Sequence, residues 1–394
     1  MYRRSRATLA VLVSLPAAGR LVAQNADRAK ATPTADSAKA SIAQSADTGK
    51  AGAPPAAPES APLKISGYVT ASYTYATNPV GSTIVGRLYD RNHDQFMLNA
   101  AKLVVEKPIA TEKVSAGFFA SFLFGQNAPP LQSAGLNLGT NGDVTQAYVT
   151  LNLPTGPSTH VQFKAGKIAT LMGLEVIEDP LNPNFSEGNQ FIYVENFTNT
   201  GVGLDAKLSA VFDAQLRIIN GWDLVTDNNS RKSFMLRLGI TPDTLSSIGL
   251  LGFYGPEPAG NTDDNRYGAE ALLSRKFGKA TVWAQGDYGE EQFATGTAKW
   301  YAGGLWLQYD AGANLSVALR GDYVDDRNGA RTSGVLGYPT LAGQTFGSGT
   351  VTLNIKRWAN LLVRPEVRYD RSNAAPFEGK KDQVTFALGA TYIY

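Results

Sequence analysis

Arginine and carboxylate side chains recur in this sequence at alternate positions of short apolar runs, and that spacing limits what they can do. In "FMLRLG" Phe234, Leu236 and Leu238 share one face of an extended segment, so Arg237 points to the other. Arg217 opposes Leu216 and Ile218 in the same way, and Arg320 and Asp322 oppose Leu319, Gly321 and Tyr323. "VRPEVRYD" sets Arg364, Glu366, Arg368 and Asp370 on one side, with Val363, Pro365, Val367 and Tyr369 on the other. An arginine aimed at lipid near the midplane costs ~2–4 kcal/mol. If these segments cross a membrane, the charged face must meet water. Fixed rows of opposed charge in a wet passage order the solvent and sort solutes by charge.

Bond-making chemistry has little to work with. The chain has no cysteine and two histidines, which excludes thiolate nucleophiles, thiolate metal sites and disulfides. His93 and His160 fall at a loop edge and in a short turn, with no matching serine or carboxylate for a hydrolytic triad. A transition-metal site is equally poorly supplied, and no cofactor is expected. "GVGLDA" (201–206) matches a dinucleotide-binding pattern, but that fingerprint needs a strand before it and a helix after it. Here its glycines lie inside an alternating segment. "DDRNG" (325–329) and "TDNN" (226–229) could hold a divalent ion, yet hairpin-loop chemistry explains both more simply. The 36 Lys+Arg residues nearly balance the 34 Asp+Glu, so a nucleic-acid partner is not implied.

The elements that must position these charges are strands. Segments such as "KISGYVTASYTYA", "KVSAGFFASFLFG", "VTQAYVTLNL", "NLSVALRGDY" and "VTLNIK" alternate with period two. Each is about ten residues, the length of a tilted membrane-crossing strand. The pattern predicts sixteen, starting near 64, 93, 113, 142, 159, 198, 210, 231, 247, 266, 279, 299, 314, 346, 360 and 382. Short turns alternate with longer connections at 78–92, 126–141, 169–197, 223–230, 256–265, 290–298, 324–345 and 371–381. That alternation predicts an all-β transmembrane antiparallel barrel over 63–394, wide enough for an aqueous channel. "QVTFALGATYIY" then reads as a closing strand whose Tyr392 and Tyr394 join an aromatic girdle. Pro365 predicts a local irregularity. "FMLNAAKLVVEK" loses its alternation near Ala100 and Ala101, and a bulge there would turn Lys102 and Glu106 inward.

The amino-terminal region differs. "MYRRSR", the apolar "ATLAVLVSLPAAG" and "LVAQ" read as a signal peptide, with cleavage after Ala23 or Gly19. Residues 24–62, rich in Ala, Pro and Ser, read as a disordered periplasmic tail or a tether. No other stretch approaches the ~18 apolar residues of a membrane helix.

The loop at 169–197 is the longest, and Leu171, Met172, Phe185, Phe191, Ile192 and Tyr193 make it unusually apolar. It can fold into the lumen, setting Glu175, Glu178 and Asp179 across the pore from the arginines, or pack outside as a lid. Glu366, Asp322, Glu270 and Asp287 balance the arginines, so any anion preference is expected to be weak.

Several strings, "GYVTASYTY", "HDQFMLNAAKLVVEKP", "VTQAYVTLNLPTG", "GKIATLMGLEVIEDPLNPNFS", "INGWDLVTDNN", "ALRGDYVDD" and "VRYDRSN" among them, resemble the β-barrel porin-2 (OmpL-like) family in order over 64–394. The resemblance implies an outer-membrane porin-like barrel whose last strand is read by the barrel assembly machinery. It brings no catalytic or substrate-binding residues. Met97 and Lys102 depart from the polar and acidic residues expected there, leaving the pore charge open. The expected function is passive diffusion of small hydrophilic solutes and ions across a bacterial outer membrane. Lipid, lipopolysaccharide and a homotrimer are the expected surroundings. The alternatives are a non-conducting structural or adhesive barrel and a lipid-acting barrel enzyme.

Overall fold

The computed structural model describes residues 62–136, 138–293, 296–332 and 343–394. The expected signal peptide, and the expected tail up to residue 61, lie outside the described residues.

Sixteen strands follow one another: β1 (Lys64–Ala76), β2 (Gln95–Lys107), β3 (Ser115–Phe124), β4 (Gly142–Gly156), β5 (Thr159–Ala169), β6 (Thr198–Lys207), β7 (Phe212–Trp222) and β8 (Ser233–Ile240). The second half holds β9 (Ser246–Pro256), β10 (Asn265–Phe277), β11 (Ala280–Phe293), β12 (Gly296–Gly312), β13 (Leu315–Asp326), β14 (Gln344–Trp358), β15 (Leu361–Ser372) and β16 (Asp382–Ile393). Each pairs antiparallel with the next, and β16 returns to β1 to close the barrel. The closing ladder sets Val69 against Tyr392 and Tyr73 against Leu388. Closure matters because an open sheet edge cannot be satisfied in hydrocarbon.

Burial runs opposite to that of a water-soluble protein. Leu236, Leu238, Val202, Phe163, Leu305, Val351 and Phe386 are exposed, while Arg320, Arg364, Arg368, Glu270 and Asp322 are buried. Exposed leucines on the outer wall and buried arginines on the inner one are what a lipid exterior demands. Aromatic side chains ring both ends of the outer wall. Tyr254, Tyr301, Tyr323 and Tyr369 stand toward the long loops, and Phe277, Tyr309, Trp358, Tyr392 and Tyr394 toward the short turns. No helix among the described residues is long and apolar enough to cross a membrane.

The expected bulge is present: β1 and β2 slip register between Thr70 and Ala71, and beyond it Lys102 is buried inside. The local irregularity expected at Pro365 is present as an interruption of the β14 ladder, which has no pairs between Thr352–Glu366 and Ile355–Val363, while the register with β16 stays regular, Pro365 facing Leu388. An outward proline can be left out of a ladder without displacing it. One expectation is corrected. The connection expected at 290–298 is instead mostly strand, because β11 runs to Phe293 and β12 resumes at Gly296. The pairs Glu290–Lys299 to Phe293–Gly296 extend the ladder there.

The face assignment has a direct test. Leu236→Arg places a charge against lipid and should abolish the heat-modifiable folded form, at a cost of ~2–4 kcal/mol. Arg237→Leu should leave assembly intact. Equal behaviour of the two in a folding gel would mean that the register is wrong.

Candidate functional site

The long connection between β5 and β6 folds into the lumen. It contains a short 3-10 turn at Asp179–Leu181 and a single π turn at Gln190–Val194. Polar loop groups and wall charges meet at bonding distance. Glu175 Oε1 lies 2.8 Å from Arg320 Nη1 and also accepts from Trp306 Nε1 at 3.1 Å. Asp179 accepts from Arg364 through its carboxylate at 3.3 Å and through its backbone oxygen at 2.8 Å. Glu178 pairs with Lys102 at 3.1 Å. Glu366 receives the backbone N–H of Phe185 at 2.8 Å and of Ser186 at 3.2 Å. Asp322 takes the Asn189 side chain at 3.0 Å. Arg368 donates to Asp370 at 2.7 Å and to the Glu187 backbone oxygen.

The loop therefore behaves as a strap of unpaired backbone whose hydrogen bonds are supplied by the wall. Irregular backbone at membrane depth is tolerated where protein satisfies it. A Cβ at Gly389 would sit 2.5 Å from the Phe185 ring, so β16 needs a glycine to seat that side chain. Burial drives the Asp179 carboxyl upward against the pull of Arg364.

Toward the long-loop end the loop is seated by apolar packing. Leu171, Met172, Phe191, Ile192, Tyr193 and Val194 meet Ile219, Trp222, Met235, Phe253, Trp300, Val324 and Phe346 of the wall. Tyr193 stacks on Phe346 with centroids 4.9 Å apart. Arg266 and Arg331 approach the Trp222 ring at 4.7 and 5.1 Å. The connection before β2 also dips inward, where Arg87 joins Asp90 at 3.3 Å and Asp370 at 3.2 Å.

The side of the barrel around β4 to β7 is more open. Lys164 and Arg217 share one carboxylate, Asp205. The Lys164 side chain is 17% exposed and that of Asp205 15%, while the loop's Glu178, paired with Lys102 of β2, is 20% exposed. Phe119 and Tyr148 stack beside them on the inner wall with centroids 5.5 Å apart. Arg237 pairs with Asp213 at 3.4 Å.

All seven wall residues singled out from the sequence point inward. The loop carboxylates do as well, but the gap expected between them and the arginines is absent. Glu175 and Asp179 touch Arg320 and Arg364, because the apolar loop residues bring its backbone onto the wall. Sequence reasoning missed Lys164, Asp205, Gln285 and the loop's Glu187 and Glu195. Asp205 stood in the same alternating segment as the glycines of "GVGLDA", which is the signal that could have placed it.

A family model described as Putative beta-barrel porin-2, OmpL-like, matches residues 62–394. No curated protein matches the chain. Among solved structures, an anion-selective porin from Comamonas acidovorans is 11% identical, with a TM-score of 0.57 over 85% of this chain and 100% of that one. OmpT of Vibrio cholerae in its trimer form is 10% identical, with a TM-score of 0.57 over 84% and 99%. OmpF of Salmonella typhi is 14% identical, with a TM-score of 0.55 over 84% and 97%. At these identities the likeness is one of fold.

Removing one member of a buried ion pair strands the other at a cost of about 3–5 kcal/mol. Arg320→Ala should therefore loosen the loop, raising hydrogen exchange at the Gly188 amide, which donates to Glu175 at 2.6 Å. Arg320→Met with Glu175→Leu should restore most of the protection. Unchanged exchange in the single variant would contradict the pairing.

Proposed function

The chain belongs to the Putative beta-barrel porin-2, OmpL-like family of outer-membrane channels, and we propose that it passes small hydrophilic solutes and ions by diffusion alongside its internal loop. The supporting observation is the asymmetry of the lumen. Wall arginines under the loop have side chains at 0% exposure, whereas Lys164, Asp205 and Glu178 keep their side chains partly in water. Loop 169–197 is the constriction, and solutes pass between Glu178 and the inner wall of β4 to β7.

In this reading Arg320, Asp322, Arg364, Glu366 and Arg368 have a holding role, satisfying the loop rather than touching solute. Arg217 and Arg237 stand nearer the passage. Two cations sharing Asp205 leave a local positive surplus, which favours anions weakly. The family and fold point to a channel rather than an enzyme.

The surroundings follow from the same reading. Outer-wall tyrosines meet lipid and lipopolysaccharide, and the β16 strand is the segment offered to the barrel assembly machinery. A homotrimer is the proposed assembly. Residues 1–23 serve as export signal and 24–62 as a periplasmic tail.

Purified protein in planar bilayers should give stepwise conductance. Lys164→Glu should shift the reversal potential toward cations without loss of insertion. Stable insertion with no conductance would overturn the reading, and an unchanged reversal potential would move the passage elsewhere.

A further inference from the structure

Where the long loop returns to the wall it brings a third carboxyl group to two already there. Glu195 Oε1 accepts from Gln285 Nε2 at 2.8 Å. That same amide nitrogen lies 3.4 Å from Glu270 Oε2 and 3.3 Å from Asp287 Oδ2. Glu270 Oε2 also receives the Gly173 backbone N–H at 2.8 Å, and Asp287 Oδ2 receives the side-chain amide of Gln190. Glu195 is 3% exposed, Glu270 6% and Asp287 7%. Glu195 Oε2 and Asp287 Oδ1 are buried without a hydrogen-bond partner. Three acids from the loop, β10 and β11 thus converge on one amide.

No lysine or arginine among the described residues is paired with any of the three; the surrounding charges are their own and that of Glu175. Glu175 in turn is held by Arg320 of β13. Three ionised carboxylates cannot share a dry site without a cation. No group of acids or histidines among the described residues has the arrangement to hold a metal ion. A proton is the cation that fits.

We propose that Glu195, Glu270 and Asp287 form a proton-binding latch that seats the loop on the β10–β11 wall and lets it go as the pH rises. The proposal rests on the porin reading and adds regulation to the same constriction. Burial, and then the charge of Asp287, lifts the Glu195 carboxyl well above the usual range. Glu187, earlier in the loop, acts in the same sense. It is 1% exposed, both its oxygens lack partners, and burial and then Asp90 raise it well above the usual range. A carboxyl raised in the docked state favours docking fully below its free value, about 4.3 for glutamate. That contribution is lost as the pH climbs through the docked value. Release then adds negative charge to the lumen.

The test is single-channel recording on the full-length protein between about pH 5 and about pH 9. Wild-type conductance should rise by about twofold or more as the loop population shifts, with reversal potential moving toward cations. Glu195→Gln with Glu270→Gln removes the charge and keeps the shape, so the transition should vanish; Asp287→Asn serves if that variant does not assemble. A flat wild-type profile, or an unchanged transition in the variant, would overturn the latch. Absence of conductance at every pH would count against the porin reading alone. In that case the latch is read by hydrogen exchange at the Gly173 and Leu174 amides, which donate to Glu270 and Gln285. At one alkaline pH they should exchange more slowly in the variant than in wild type, and equal rates would overturn it.

Discussion

A guanidinium group on the inner wall of a membrane barrel keeps its charge only if polar atoms stand against it. Arg320, Arg364 and Arg368 have side chains at 0% exposure, so water does little of that work. The polar atoms come from a loop that leaves the sheet after β5 and lies across the wall strands from β10 to β16. The need is mutual. The loop has almost no regular structure of its own, so its N–H and C=O groups depend on Glu366, Asp322 and the arginines. Buried ion pairs add little net stability but are costly to break. A network of this kind fixes one seat for the loop.

The apolar half of the loop sets where that seat lies. Phe191, Ile192, Tyr193 and Val194 pack against inward tryptophans and phenylalanines near the long-loop end, while the charged half is drawn lower. In the proposed reading they occupy one side of the lumen and leave the other, around β4 to β7, wet. A channel built this way has its permeation path set by what the loop does not cover. The same seat holds acids that no cation balances, so occupancy of the lumen and protonation are linked.

The barrel was legible because lipid imposes a period-two code on every strand. All sixteen strands start within three residues of the expected positions, and Arg217, Arg237 and Arg320 face inward as alternation requires. Loop contacts were not legible to the same depth. Nothing in the order of residues says that Glu175 meets Arg320 or that Phe185 needs Gly389, since each pair joins residues more than a hundred positions apart. The apolar composition of 169–197 left an inward fold and an external lid both open, and direct pairing replaced the gap expected for the inward one. Glu187 and Glu195 were hidden because an acid in a loop ordinarily means solvent. Pro365 marked an interruption of the ladder with β14 but no bulge, since its outward position leaves the register on both sides intact.

The most direct measurement is the single-channel conductance of a barrel in which residues 174–194 are replaced by a short flexible bridge. If the loop fills one side of the lumen, that channel should conduct severalfold more than the intact protein while still folding as a barrel. A bridged barrel that folds and conducts no more than the intact one would contradict the account.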